Sequence, residues 1–344
     1  MTGGNGGDQG LPLLRVQDVK KYFTVRRSLQ SSHETVYAVD GVSFDLHVGE
    51  TLGLVGESGC GKSTLARVVT GLQRQTAGSV LLSGVEVHER RSHEAIRGKL
   101  QMVFQDPAGS LDPKHRVADS VAEPLVGRAG RQDRQTRALH MLERVGLRSE
   151  HGQRYPHQLS GGQQQRACIA RALISDPSVI VFDEALSSLD VSQQAQIADL
   201  IRDVQHDFES SHLFITHDLA TAFELSDRIA IMYLGEIVEL VPVRSFEQNT
   251  LHPYSQILVD AILDPDPAQQ KQRQTALSDA DIPSAARPPS GCRFHTRCPY
   301  AQDRCVEERP ALRLHGAEHR VACHFAGALP TSSASAPAVP GAPA

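Results

Sequence analysis

No stretch of the 344-residue sequence approaches the eighteen or more consecutive apolar residues that a membrane-spanning helix needs, so the chain is not expected to cross a bilayer. A secretory apolar segment is also missing from the start, Met1-Thr-Gly-Gly-Asn-Gly-Gly, and the expected location is the cytoplasm. Basic excess is lacking: 35 Lys and Arg stand against 40 Asp and Glu, a formal net charge of −5, which argues against nucleic acid as a partner. There are no heptads, which excludes a long coiled coil. Cysteine is scarce, six residues in all, and unevenly placed. Cys60 and Cys168 stand alone, whereas Cys292, Cys298, Cys305 and Cys323 crowd into the last fifth. In a reducing compartment such a cluster points to metal binding before disulfides. The 40% of residues that are hydrophobic suffice for one large α/β domain with a smaller appendage.

Residues 1–10 are Gly/Asn-rich and expected to be disordered, and residues 11–48 alternate as antiparallel strands do (Val39, Val42, Phe44, Leu46), with an exposed hairpin loop at 27–35. From Thr51 the pattern changes to a short apolar strand, Leu52–Val55, a glycine loop, and a helix carrying Leu65, Val68, Val69 and Leu72. Residues 115–158, with periodic Leu139, Leu142, Val145 and Leu147, read as a mainly helical insert; with the following helix they make a helical subdomain of about 115–175. Helices are then predicted at 162–174, 191–208 and 218–226, with strands at Val179–Phe182 and Leu213–Thr216 between them. The main domain is expected to fade after Ile229-Ala-Ile-Met232. A linker spans 263–290, a cysteine-rich region 291–326, and an unfolded Ala/Pro/Ser tail 327–344.

The glycine loop, Gly56-Glu57-Ser58-Gly59-Cys60-Gly61-Lys62-Ser63-Thr64, has the spacing of a phosphate loop. Gly56, Gly59 and Gly61 permit positive φ, which lets consecutive N–H groups converge on a phosphate at a helix N-terminus. Lys62 is expected to reach the β- and γ-phosphates and Ser63 to ligate Mg²⁺. Asp183 and Glu184 end an apolar strand, where buried carboxylates need a cation or hydrogen bonds. Asp183 would hold Mg²⁺, and Glu184 would polarise the attacking water as general base. Gln105 suits a side chain that meets both metal and water, and His217 one that bonds the γ-phosphate; taken singly, Gln105 is equally readable as a solvated loop residue, and an isolated histidine such as His217 is more often structural. Ser160-Gly161-Gly162-Gln163 opens another helix, a second anion site made of a hydroxyl and bare amides. Two helix N-termini of one chain cannot converge on one nucleotide without distortion. Two chains facing head to tail can.

These motifs, in this order, resemble the ATP-binding cassette (ABC) superfamily across roughly residues 13–255, including Leu159-Ser-Gly-Gly-Gln163 and a Ser187-Ser-Leu-Asp190 loop. The implied fold is α/β: an ABC-type P-loop NTPase with an antiparallel β subdomain, a helical subdomain and a small Cys-rich C-terminal extension. The resemblance further implies that Phe23, or its neighbour Tyr22, stacks on adenine, that Asp190 communicates between two sites, and that the Gln105 region contacts a membrane subunit's coupling helix. Two departures are mild: Ala185 stands where such cassettes often have proline, and the second glycine motif continues Gln164-Gln165-Arg166.

Within that superfamily the chain looks like the ATPase subunits of bacterial dipeptide, oligopeptide and nickel importers. The stretches Ala38–Phe44, Gly49–Leu65 and Gln105–Pro113 carry the likeness, as do His252-Pro-Tyr254 and Cys292-Arg-Phe-His-Thr-Arg-Cys298-Pro. The resemblance implies a second ABC ATPase subunit as partner, identical or a sister. It also implies two transmembrane permease subunits, an extracytoplasmic substrate-binding protein acting indirectly, and a peripheral position on the cytoplasmic face of the inner membrane. ATP and Mg²⁺ are the expected ligands. In several relatives the four cysteines are associated with a [4Fe–4S] cluster. Their spacing alone fits neither zinc knuckles nor ferredoxin runs and leaves a cluster, structural zinc or unligated thiols open, with His295 and His324 flanking. Nickel chelates and glycosides are alternative cargoes; a soluble repair or translation ATPase, an exporter and a redox regulator are rival readings.

Overall fold

The computed structural model describes residues 11–26, 33–89, 96, 98–263, 283–316 and 318–329. In it β1 (Leu14–Arg26) and β2 (His33–Leu46) pair antiparallel, and β4 (Ala77–Leu82) and β5 (Val85–Glu86) complete a four-stranded sheet of order β2-β1-β4-β5. Alternation puts Val42, Phe44 and Leu46 on one buried face, and a register shift between Asp40 and Val42 lets Val39 join the same core. Residues 27–32 of the expected hairpin loop lie outside the described residues, and His33–Thr35 belong to β2, paired with Thr24–Arg26.

The second sheet is built on apolar strands covered on both faces: β3 (Thr51–Val55), β6 (Leu100–Val103), β7 (Val179–Asp183), β8 (Ser211–Thr216), β9 (Arg228–Tyr233) and β10 (Glu236–Pro242). With β11 (Arg313–Leu314) and β12 (Arg320–Val321) its order is β11-β12-β10-β9-β3-β8-β7-β6. β3 runs parallel to β8 and β9, and β7 runs parallel to β6 and β8. Parallel pairing brings the carboxyl ends of β3, β6, β7 and β8 to one end of the sheet, where ligands bind in open α/β sheets.

The helical insert forms as Val117–Ala122, Arg131–Arg144 and Gly161–Leu173, packed through Ala138, Leu142, Val145, Leu147 and Ala167. Helix Val191–Phe208 agrees with the predicted bounds, and Leu219–Leu225 falls within one residue of them. Leu72 departs from expectation: the helix Lys62–Val69 ends before it, and the side chain is 61% exposed.

The main domain also does not fade after β9. β10 is buried along its whole length, and β12 pairs with it through Glu239↔Val321 and Leu240↔Arg320. The cysteine-bearing segment therefore adds strands to the cassette's own sheet. Of the expected linker, 264–282 lie outside the described residues, while the Ala285 carbonyl accepts from Tyr37 N–H at 2.9 Å beside β2. Of the segments expected to be unfolded, 1–10 and 330–344 lie outside the described residues, whereas residues 327–329 lie in a turn in which Ala328 N–H donates to the Phe325 carbonyl at 3.0 Å.

His212 in β8 is wholly buried, edge-on to Phe182 and bonded to the Ser210 hydroxyl at 2.9 Å; burial pulls it from an ordinary 6.5 down to about 3. Unfolding lets this ring charge, so its contribution is whole above its ordinary value and shrinks as pH falls through and below it. Thermal or urea unfolding should lose on the order of 2 kcal/mol from this group between about pH 7 and about pH 5, and His212→Gln should flatten that slope. An unchanged slope in the variant would count against the assignment.

Candidate active site

The loop Gly56–Gly61 joins the end of β3 to the helix Lys62–Val69. Gly59 at φ 80° and Gly61 at φ 112° occupy the left-handed region that only glycine enters cheaply. Gly56 is not at positive φ, contrary to expectation; a Cβ there would collide with the Met232 carbonyl oxygen, so the close approach of β9 requires this glycine. Ser58 and Gly59 are exposed, Thr64 is half-buried, and Cys60 faces inward, where burial pushes its thiol up to about 11. Cys60 can therefore offer its backbone N–H but no nucleophile.

Lys62, 4% exposed, donates to the carbonyls of Gly56 (2.7 Å) and Glu57 (3.1 Å), and its Nζ stands 3.8 Å from Glu184 Oε1. Ser63 Oγ donates to Asp183 Oδ1 at 2.9 Å. Burial pushes the Asp183 carboxyl above its ordinary range, opposed by the Ser63 bond. Glu184 follows at φ 47°, its N–H held by the Ile215 carbonyl at 2.9 Å. Its Oε2 accepts from Gln105 Nε2 at 3.1 Å and lies 3.4 Å from His217 Nδ1. Six expected residues, Lys62, Ser63, Gln105, Asp183, Glu184 and His217, thus meet in one place. The arrangement can hold a phosphate chain at a helix N-terminus and set a carboxylate beside it.

Ser160–Gln163 stand apart. Ser160 Oγ accepts from Gln163 N–H at 3.3 Å and Gln163 Oε1 from Ser160 N–H at 3.1 Å, a reciprocal cap on the helix Gly161–Leu173. No described hydrogen bond or ion pair ties them to the phosphate loop. A Cβ on Gly161 would meet only the Leu189 side chain, at an ordinary 3.8 Å, so the chain's own packing does not require glycine there. Asp190 caps the helix Val191–Phe208 through Gln193 N–H at 2.9 Å. Tyr22 is committed, donating to Asp40 at 2.6 Å and edge-packed on Tyr37, while Phe23 is half-buried with the Lys21 ammonium 5.1 Å from its ring centre.

Sequence reasoning missed two groups that touch the phosphate loop. Glu57 N–H donates to the Tyr254 hydroxyl at 3.1 Å, and the Glu57 carboxylate accepts two bonds from Arg297, at 3.0 and 3.1 Å. Nothing local marks either, since the partners lie about two hundred residues downstream.

Cys292, Cys298, Cys305 and Cys323 line one cavity of about 20 Å³, with Phe294 and His295 among its walls. Burial pushes the Cys292 thiol up to about 12 and Cys298 to about 11, and raises Cys323 as well. Soft donors are gathered, but the space holds about one water. Among the described residues no three His, Cys, Asp or Glu side chains are grouped to hold a metal ion. As the side chains stand they fit neither a [4Fe–4S] cluster nor zinc, and the expectation of either gains no support.

Residues 39–187 match the ABC transporter family, and residues 238–305 match the oligopeptide/dipeptide transporter C-terminal region. The di/tripeptide transport ATP-binding protein DppF of Pseudomonas aeruginosa is 43% identical over 320 residues, covering 91% of this chain and 98% of that protein. The chain belongs to the ABC transporter family. The oligopeptide transport ATP-binding protein OppF of Escherichia coli is 44% identical to this ABC cassette over 319 residues, covering 90% of this chain and 95% of that protein. Among solved structures, the dimeric post-hydrolysis state of the ATP-binding cassette MJ0796 bound to ADP and Pi superposes with a TM-score of 0.60 at 28% identity, covering 68% of this chain and all of that one. The mixed sheets and helices of the ABC ATPase fold are therefore present.

Gly161→Ala should leave thermal stability unchanged or raised, by at most about 1 kcal/mol, yet cut ATPase activity at least roughly tenfold if, as expected, the added methyl meets a phosphate at this helix tip. A variant that loses stability and activity together would show glycine to be needed for folding instead.

Proposed function

We propose that this chain is the ATP-hydrolysing subunit of an ABC importer for dipeptides or oligopeptides. The observation that carries the reading is the convergence of Lys62, Ser63, Gln105, Asp183, Glu184 and His217, and the helix tip at Ser160–Gln163, with a glycine its own packing does not need, supports a second anion site apart from it. Relatives named for di/tripeptide and oligopeptide transport, matched over nine-tenths of the chain, support the cargo.

In this reading the backbone amides of the phosphate loop beyond Glu57, whose own N–H is held by Tyr254, wrap the β-phosphate, and Lys62 neutralises the γ-phosphate. Ser63 and Asp183, hard oxygen donors 2.9 Å apart, suit Mg²⁺. When bound, the ion spreads the charge of the transferred phosphoryl group. Glu184 takes the proton of the attacking water, which Gln105 orients, while His217 bonds the γ-phosphate. Phe23, whose ring carries the Lys21 ammonium rather than a hydrogen bond like that of Tyr22, would stack on adenine. Ser160–Gln163 of a facing ATPase subunit, identical or a sister, closes the site from the other side, and Asp190 sits near that seam. The dimeric state of MJ0796 supports such pairing.

Two permease subunits would dock above a cavity of about 690 Å³ lined by Leu72, Gln101, Phe104, Glu123, Pro124 and Arg171, one residue from Gln105. Among the described residues no helix is long and apolar enough to cross a membrane, so attachment through permeases accounts for a peripheral position on the cytoplasmic face. The extracytoplasmic binding protein would act through those permeases.

Lys62→Ala should abolish hydrolysis. Glu184→Gln should keep nucleotide affinity within a few-fold yet lower steady-state turnover by roughly a hundredfold or more; near-normal turnover in that variant would refute the role given to Glu184. A soft metal centre at the four cysteines would require them to move apart from the arrangement described above, and no step of the ATP cycle passes through it. Iron, sulfide and zinc assays on anaerobically purified protein decide it: stoichiometric metal supports the centre, and absence of all three removes it.

A further inference from the structure

The phosphate loop contains a residue that works against its task. Glu57 places a carboxylate in the loop whose amides are to receive a triphosphate, and two like charges some ten ångströms apart repel by roughly 1–2 kcal/mol at an effective dielectric near 20. The carboxylate is not left to solvent. Both its oxygens are taken by the Arg297 guanidinium in a two-pronged bond, with the arginine side chain 5% exposed and the glutamate side chain 25% exposed. Arg297 is itself fixed from behind. Its guanidinium lies 5.8 Å from the Tyr233 ring centre and 5.9 Å from that of Phe294, and it donates to the Tyr233 hydroxyl at 3.4 Å. Tyr233, Tyr254 and Phe294 pack against one another with centroids 4.8–5.4 Å apart, and the Tyr254 hydroxyl accepts the Glu57 N–H.

The backbone carrying Arg297 is a turn framed by cysteines: His295 N–H bonds the Cys292 carbonyl at 3.0 Å, Arg297 N–H the Phe294 carbonyl at 3.0 Å, and Cys298 N–H the His295 carbonyl at 3.3 Å. A second tie holds the same segment to the cassette. Arg293 is buried against Asp40 and Glu236, and Arg309 reaches the same two carboxylates at 3.2 and 2.9 Å. The segment that carries the cysteines is thus pinned at two points, one of them the phosphate loop.

We infer that Arg297 is a positioning residue of the ATP site, neutralising Glu57 so that the loop accepts a triphosphate, and that the cysteine segment acts on nucleotide affinity through it. The inference rests on the ATP reading given above. In this inference Arg297 acts on the nucleotide through the charge of Glu57, which sets it apart from a brace that merely keeps the loop folded. Its effect belongs to binding, so KM for ATP should move while kcat stays nearly constant.

The test is ATP titration, with steady-state kinetics alongside, on the full chain as wild type, Arg297→Gln, Arg297→Lys, Glu57→Gln and the double variant Arg297→Gln/Glu57→Gln. Arg297→Gln should weaken ATP by roughly tenfold, and Arg297→Lys, which keeps the charge, by no more than roughly threefold. Removing the glutamate charge in the double variant should return affinity to within about twofold of Glu57→Gln. Equal losses in the Gln and Lys variants, or a double variant as weak as Arg297→Gln, would overturn the inference, because charge compensation would not be the cause. Wild-type protein that binds no ATP overturns the nucleotide reading and this inference with it. Wild-type protein that binds, with Arg297→Gln binding equally well, overturns this inference alone.

Discussion

The site depends on one carboxylate held in an uncommon place. Glu184 sits at φ 47°, a conformation that costs a non-glycine residue of order 1 kcal/mol or more, and its N–H is locked to the Ile215 carbonyl of the neighbouring strand. From that position it reaches Lys62, Gln105 and His217, which arrive from the ends of three other strands. Parallel pairing of β3, β6, β7 and β8 is what delivers these four chain ends together, and the Ser63–Asp183 bond fastens the phosphate-loop helix to β7 at the same level. The strain at Glu184 persists because the surrounding sheet over-determines it.

What the chain does not do with its second glycine motif is equally informative. Ser160 and Gln163 satisfy each other at the helix tip, leaving Gly161 exposed with only an ordinary van der Waals neighbour for an added methyl. Glycine at a helix start that the fold itself does not demand is consistent with something outside the chain approaching the backbone there. A phosphate held between that tip and the phosphate loop of another chain meets the requirement.

The parts legible in the sequence are those in which chemistry constrains residue type at fixed spacing. The phosphate loop and the Asp183-Glu184 strand end are identifiable because a triphosphate and a metal ion accept few alternatives, whereas Gln105 and His217 stand out only by their place in the ordered set of motifs; the structure brings all of them together. Gly56 was placed correctly for an incorrect reason: crowding by the Met232 carbonyl, a contact with β9, fixes it, and no local rule reveals that. β10 went unread because Glu236 and Glu239 interrupt its apolar run. Both carboxylates are buried: Glu236 is answered by Arg293 and Arg309, and Glu239 by His319 and by the backbone N–H groups of Leu251 and His252, all of them outside the strand. The four cysteines were expected to gather, and they do line one cavity; its small volume, set by Phe294 and the surrounding packing, could not be read from their spacing.

The central claim is that the triphosphate is gripped by two polypeptides. A photoreactive ATP analogue bearing its reactive group on the γ-phosphate, bound to the assembled complex and followed by peptide mapping, tests it most directly. The account predicts label on the phosphate loop of one subunit and on the serine-glycine helix tip, Ser160–Gln163 or its counterpart, of the facing subunit. Label confined to a single polypeptide would contradict it.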